Sequence, residues 1–179
     1  RWKALSIISL SIGQGEIGCT PLHIANLAAT LANRGYYYIP HLQKDTRDAP
    51  IDTRFKEKHY TMVDTSYFQE VVKGMAMAVT GGTARVANIP GIEVCGKTGT
   101  AQNPHGADHS VFICFAPREN PKIAVAAYVE NGGFGASYAA PIASLIAEKY
   151  LKGEISEGRR HLEENMMNAN LMDRVKVKR

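Results

Sequence analysis

Apolar positions along the chain switch between two periods, and the switch points divide it into elements. Ile24, Leu27, Ala28 and Leu31 recur at helical spacing behind Thr20-Pro21, with Gly35 as a stop. Thr serves there as N-cap and Pro occupies the first helical position. Phe68, Val71, Val72, Met75 and Val79 outline a second helix. Asp64 or Thr65 is its cap, Ser66 with Gln69 resembles a capping box, and Gly81-Gly82 ends it. Met75 and Met77 are read as core filler. Ile142, Leu145, Ile146 and Lys149/Tyr150 mark the inner face of a third helix, capped by Ser137 and closed by Gly153. Between the second and third helices the pattern is that of strands: Ile92–Gln102, Ser110–Ala116 and Lys122–Val129. Their short connections predict a three-stranded antiparallel meander.

The remaining stretches are less regular. Ser6 to Gly15 is apolar with interspersed serines and reads as a buried strand or turn broken by Gly13-Gln14-Gly15. Tyr36–Ile39 is a short strand ending at Pro40. Residues 41–62 are a connection with one or two short strands. Thr83 caps a single turn through Asn88, and Pro90-Gly91 is a turn. Residues 103–108 and 131–135 are loops. From Lys152 onward there are seven Lys or Arg, five Asp or Glu and few large apolar residues. Leu162, Met166, Met167 and Leu171 can make an amphipathic helix there. The fold class expected is α+β, an antiparallel sheet of at least three strands flanked by helices, with residues 1–151 as one unit and 152–179 as a tail.

Composition narrows the function. Hydrophobic residues at 45% and charged residues at 21% suit one globular domain in 179 residues. No apolar run approaches the roughly 18 residues of a membrane span. The chain opens at Arg1-Trp2-Lys3 without an initiator methionine and is read as a segment of a longer polypeptide. Net charge is +4, but basic residues are interspersed with acidic ones and the run Arg174–Arg179 reads as a solvated tail, so nucleic acid is not the expected partner. Cys19, Cys95 and Cys114 have no metal-ligand spacing and read as buried small hydrophobes. A Cys95–Cys114 bridge between neighbouring strands would face restrictive geometry. Neither metal nor cofactor is expected.

The chemistry-bearing stretch is Gly96-Lys97-Thr98-Gly99-Thr100. Gly91 to Thr98 spells the phosphate-loop pattern, yet its intervening residues form strand and no helix can follow Gly-Thr-Ala-Gln-Asn-Pro. On a strand, Lys97 projects to one face and Thr98 to the other or along the rim. Gly96 and Gly99 let a backbone approach. Such a strand at a sheet edge can accept an extended peptide. Its cation and hydroxyls can take a carboxylate, and its backbone amide can help an oxyanion hole. Gln14, between glycines, reads as a structural residue that bonds backbone. His109 reads as structural, His105 as part of the loop rim, and Glu130-Asn131 as a turn.

The order Ser-Ile-Gly-Gln-Gly, Thr-Pro-Leu-His-Ile-Ala, Gly-Lys-Thr-Gly-Thr-Ala-Gln, His-Ser-Val-Phe-Ile-Cys-Phe-Ala-Pro, Pro-Lys-Ile-Ala-Val-Ala and Glu-Asn-Gly-Gly resembles the C-terminal half of the transpeptidase domain of penicillin-binding proteins. Within these it is similar to class B enzymes of the penicillin-binding protein 2 type, which serve cell elongation. The resemblance covers residues 1–151. It implies a partial penicillin-binding/β-lactamase-like fold, with Lys97 on the innermost or edge-like third strand. It also implies a D,D-transpeptidase of peptidoglycan stem peptides that works through an acyl-serine and is trapped by β-lactams. Lys97 and Thr100 become the catalytic residues, the Thr100 amide being half of an oxyanion hole. Thr98, Gly99, Thr100 and Gln102 become the substrate-binding residues. The parent protein is placed at the periplasmic face of the cytoplasmic membrane, anchored by an N-terminal segment, with the elongation machinery as its partner. A penicillin-sensing domain, a D,D-carboxypeptidase and a β-lactamase share the fold and remain alternatives.

The chain departs from the family pattern in one respect. It contains neither Ser-x-x-Lys nor Ser-x-Asn. Apolar surface and sheet edges left open by missing neighbours would favour association of isolated copies. Exposed to a fluorescent penicillin, the 179-residue chain alone is expected to take no covalent label. A stable adduct at any of its serines, located by mass spectrometry, contradicts these role assignments.

Overall fold

The computed structural model describes residues 3–15 and 17–172, so the basic run Arg174–Arg179 lies outside the described residues. Five helices and five strands follow in the order α1 (Ala4–Ser11), α2 (Pro21–Ala32), β1 (Tyr36–Tyr37), β2 (His59–Tyr60), α3 (Thr65–Thr80), β3 (Cys95–Ala101), β4 (His109–Ala116), β5 (Ile123–Val129), α4 (Ala139–Lys152) and α5 (Arg160–Met167). The central sheet is the predicted meander, β3-β4-β5, antiparallel throughout. β1 and β2 form a separate two-stranded arm.

Alternation along the strands divides the sheet into two faces. Phe112, Cys114 and Ala116 of β4 meet Ala139, Ala140, Ala143 and Ala147 of α4, together with Val94 and Ile89. Cys95 and Phe115 pack on the other face against Ala32, Val72, Met75 and Ala76 of α2 and α3. Helices thus cover both faces of the sheet. The α4 face is lined by alanine because a helix lying flat on large β4 side chains has room for little else.

Several local expectations give way to tertiary structure. Ser6 to Gly15 is helical at its start, and α1 buries no residue. A short apolar run has no period of its own to separate strand from helix. Its end is a Schellman motif: Gly13, at φ 76°, donates to Leu10 and Gln14 donates to Ser9. Asp64 caps α3 through the Ser66 amide, so Ser66 is a recipient of the cap and does not provide one. Met75 is buried as expected, whereas Met77 is 62% exposed and Val71 faces solvent. Thr83 does not cap the following turn, which begins after Ala84 as a 3-10 turn over Arg85–Ala87.

The cap of α4 is not Ser137. Ser110, fully buried on β4, accepts from the Ala139 amide at 3.1 Å and donates to the Phe134 carbonyl at 2.8 Å. The inner face of α4 also differs, since Ile146 and Tyr150 are exposed while Ser144, Ala147 and Glu148 are buried. Cys19 is exposed, unlike the buried pair Cys95 and Cys114, and all three thiols are free. Burial pushes the Cys95 thiol up to about 11 and the Cys114 thiol to about 12, so both stay protonated.

Buried Glu148 ties the segment after Gly153 to the sheet domain. Its carboxylate pairs with Arg159 Nε at 3.0 Å and accepts from the Ser156 hydroxyl at 2.6 Å. Arg159 also donates to Ser144 Oγ at 2.6 Å and to the Asn88 carbonyl. Desolvation lowers the Arg159 pKa and Glu148 opposes that shift. Removing the guanidinium leaves the buried carboxylate with Lys152 at 3.5 Å and Ser156 on its Oε1 and takes the charged partner from Oε2. Arg159→Met is therefore expected to cost about 3 kcal/mol of unfolding free energy, read from denaturant titration; a loss under about 1 kcal/mol would mean that the pair behaves as a surface one.

Candidate functional site

β3 hydrogen-bonds to β4 on one side only and lies at the edge of the described sheet. Its register is Lys97↔Ile113, Thr98↔Phe112, Gly99↔Val111 and Thr100↔Ser110. Paired residues share a face, so Lys97 lies on the α2/α3 face with Cys95 and Gly99. Thr98 and Thr100 share the α4 face with Ser110 and Phe112. Lys97, Thr98, Gly99 and Thr100 thus form one short edge, with Gln102 just past its end. The central position of Lys97-Thr98 in a strand rules out the phosphate-loop reading.

Lys97 is exposed and its Nζ donates to the Thr98 carbonyl at 2.6 Å. The Thr98 hydroxyl meets the Thr83 hydroxyl at 3.0 Å. Thr100 turns its carbonyl to the edge, where it accepts from Gln14 Nε2 at 2.9 Å. Gln14 does bond backbone, and the backbone it bonds is that of the candidate site. A polar concavity of about 560 Å³ opens beyond Thr100, lined by Ser9, Gln14, Gly15, Gln102, Asn103, Pro104 and Asp108.

The glycines of the motif act differently from one another. A Cβ at Gly96 would overlap the Phe112 ring, which lies across the strand. The approach at Gly96 is therefore by a side chain. A backbone approaches Gly99 instead, because a Cβ at Gly135 would stand 2.7 Å from the Gly99 carbonyl oxygen. Gly135 belongs to the turn that Ser110 pins through Phe134.

Polar side chains knit together the loops at this end of the sheet. Asn103 donates to Asn131 Oδ1 at 3.0 Å and, through its amide, to Asp108 at 3.1 Å. The Asn131 amide donates to His109 Nδ1 at 3.0 Å, and the His109 ring lies on Tyr128. His109 is structural, as read from sequence. Asn131, at φ 56°, sits in the turn expected of Glu130-Asn131. His105 is exposed on the loop rim. Sequence reasoning missed Thr83, Ser110 and Gly135 as neighbours of the motif. Gly81-Gly82 signals a helix stop and Thr83 a cap of the next turn, neither of which points to β3, and Ser110 reads as one more residue of a strand. Among the described residues no cluster of His, Cys, Asp and Glu could hold a metal.

Comparison with known proteins gives a consistent set of likenesses. The family described as the penicillin binding protein transpeptidase domain matches residues 1–148. The peptidoglycan D,D-transpeptidase MrdA of Acinetobacter baumannii is 32% identical over 170 residues, covering 84% of this chain and 25% of the relative. The peptidoglycan D,D-transpeptidase PbpA of Mycobacterium tuberculosis is 36% identical, covering 80% and 32% respectively. The chain therefore spans about a quarter to a third of the curated relatives it matches. Among solved structures, PBP2 of Pseudomonas aeruginosa in complex with WCK 5153 superposes with a TM-score of 0.73 at 36% identity, over 88% of this chain and 35% of that one. The imipenem acyl-enzyme complex of penicillin-binding protein A from M. tuberculosis gives 0.69 at 36% identity, over 80% and 33%.

The differing glycine environments make a test. Gly96→Ala is expected to lose about 2 kcal/mol of stability, whereas Gly99→Ala, whose Cβ would meet Val111 at 3.4 Å, loses less than half of that. Urea unfolding of the two variants reads the difference; equal losses would mean that the Phe112 ring does not constrain the strand.

Proposed function

Because this chain belongs to the penicillin-binding protein transpeptidase family, we propose that it builds one wall of the acyl-transfer site of a longer peptidoglycan D,D-transpeptidase. The observation that carries this reading is the edge strand. Lys97, Thr98 and Thr100 lie together on a strand that, among the described residues, hydrogen-bonds on one side only, with the carbonyls of Thr98 and Thr100 turned to the open edge. An extended peptide can add to such an edge.

In the proposed reaction a serine outside this chain attacks the carbonyl between the two terminal D-alanines of a stem peptide. The acyl-serine ester forms, that peptide bond breaks, and the terminal D-alanine leaves as an amine that takes up the serine proton. The Thr100 amide faces the developing oxyanion and stabilises it more than the ground-state carbonyl. The terminal carboxylate meets the Lys97 ammonium and the Thr98 and Thr100 hydroxyls. Gly99 keeps the strand narrow enough for the peptide to lie close. Gln102 lines the concavity beyond the acyl residue. An amine of a second stem then takes the acyl group from the serine and completes the cross-link. β-Lactams present a strained carbonyl and a carboxylate at the same spacing and halt at the acyl-enzyme.

In this reading residues 1–151 complete the transpeptidase domain and 152–179 form an extension, tied to it through Glu148 and Arg159. Among the described residues no helix is long and apolar enough to cross a membrane. The whole protein is proposed to be anchored by another segment and to act at the periplasmic face, with the elongation machinery as partner. A structural neighbour from a peptidoglycan synthase complex, 31% identical with a TM-score of 0.66, supports such a partnership. Isolated copies of the chain are proposed to associate through the exposed Leu5, Ile7 and Ile8 of α1.

The test uses the whole protein. It is expected to be acylated by a fluorescent penicillin, and Lys97→Met is expected to slow that acylation by roughly 100-fold at an unchanged melting temperature. Absence of labelling, or labelling of Lys97→Met at the unmutated rate, overturns the assignment.

A further inference from the structure

The contact between Gln14 and Thr100 joins residues 86 apart in sequence. It occupies a position with a defined meaning in an antiparallel ladder. There a residue's N–H and C=O point to the same side, and successive residues alternate sides. Thr100 gives its carbonyl to Gln14, and Thr98 gives its carbonyl to Lys97, so both residues turn their backbone groups away from β4. Thr100 therefore presents an N–H and a C=O side by side on the open edge.

A peptide with its terminal carboxylate beside Lys97 and Thr98 and its reacting carbonyl beside Thr100 runs antiparallel to β3. The residue opposite Thr100 then exchanges two bonds with it. Its carbonyl accepts from the Thr100 N–H, and its own N–H donates to the Thr100 carbonyl. That second place is taken by Gln14 Nε2, a neutral amide donor at 2.9 Å. Resting on the acyl-transfer reading above, we propose that Gln14 is a positioning residue whose side-chain amide stands in for the N–H of the acyl residue while the site is empty, and yields to it when the peptide binds.

The local structure suits this role. The Schellman motif ending α1, with Gly13 in the left-handed region, sets the backbone from which Gln14 reaches the strand. The side chain is half-buried and lines the polar concavity. There Ser9, Gln102, Asn103 and Asp108 offer partners to an amide released from Thr100. In the empty site the contact satisfies an edge carbonyl that would otherwise invite pairing with another chain. With a ligand that lacks the N–H, Gln14 stays in place and the carbonyl remains satisfied. Gln14 thus reduces the advantage of ligands that carry the N–H over those that do not.

The closing experiment uses the whole protein with an Nα-acylated peptide ending in D-Ala-D-Ala. A second peptide has the N–H of the penultimate residue replaced by an ester oxygen, which removes the donor without adding bulk. Relative kcat/KM values for acyl transfer are measured for the unmutated protein and for Gln14→Met, which keeps the side-chain length and drops the donor. The amide-to-ester ratio is expected to rise about fivefold in Gln14→Met, the size of one net hydrogen bond. The ratio cancels any loss of active protein, so a folding defect alone does not move it. A ratio that is unchanged or lower overturns this inference while leaving the acyl-transfer reading intact. An unmutated protein that processes neither peptide overturns both.

Discussion

The acyl-transfer site proposed for this protein depends on β3 being hydrogen-bonded, among the described residues, along one side only. A strand paired on both sides has no main-chain groups left for a ligand. A strand paired on neither side cannot hold an amide to the tolerance that oxyanion stabilisation requires. β4 supplies the rigid side, and β5 in turn braces β4. The two helical layers then prevent the three strands from flexing, because Phe112 and Phe115 are fully buried on opposite faces of the same strand. The edge is open to a peptide, and its backbone is held by everything behind it.

Packing around the motif explains why it is built from such small residues. Gly96 makes room for Phe112, and Gly135 brings a turn onto the backbone of Gly99. That turn is held by Ser110, which bonds it and the first amide of α4 with one hydroxyl. Ser110 stands directly opposite Thr100. The residue proposed to donate to the oxyanion is thus paired with the residue that fastens α4 to the sheet. Thr83 and Gln14 reach the motif from two further segments, one at each of its threonines.

Much of this was legible in the sequence because its signals are local. The meander follows from three β-rich runs with short connections. α2 follows from Thr20-Pro21 and the spacing of its apolar residues, and the structure adds a reciprocal bond between Thr20 and His23. His109, at the start of a β-rich run, reads as structural, and its ring accepts from the Asn131 amide and lies against Tyr128. Other readings failed where a residue's partner lies far away in sequence. Ser137 has the chemistry of an N-cap, but the hydroxyl that serves comes from position 110. Ile146 and Tyr150 have helical spacing, yet α4 lies on the sheet through its alanines. Glu148 and Arg159 carry no period that marks them as partners, and the two are buried together as an ion pair.

The sequence by itself determined α2, α3, α4 and the three-stranded meander, which strand carries the cation and hydroxyls, and the family to which the chain is similar. Propensity, periodicity and a few fixed glycines act over distances of only a few residues, and so they can be read directly. Only the tertiary structure decided that the α2/α3 layer lies on the Lys97 side and α4 on the side of Thr98 and Thr100, that Ser110 fastens α4 to the sheet, and that Gln14 closes the Thr100 carbonyl. Those facts depend on which surfaces meet across the sheet, and pairings of that kind leave no period in the chain.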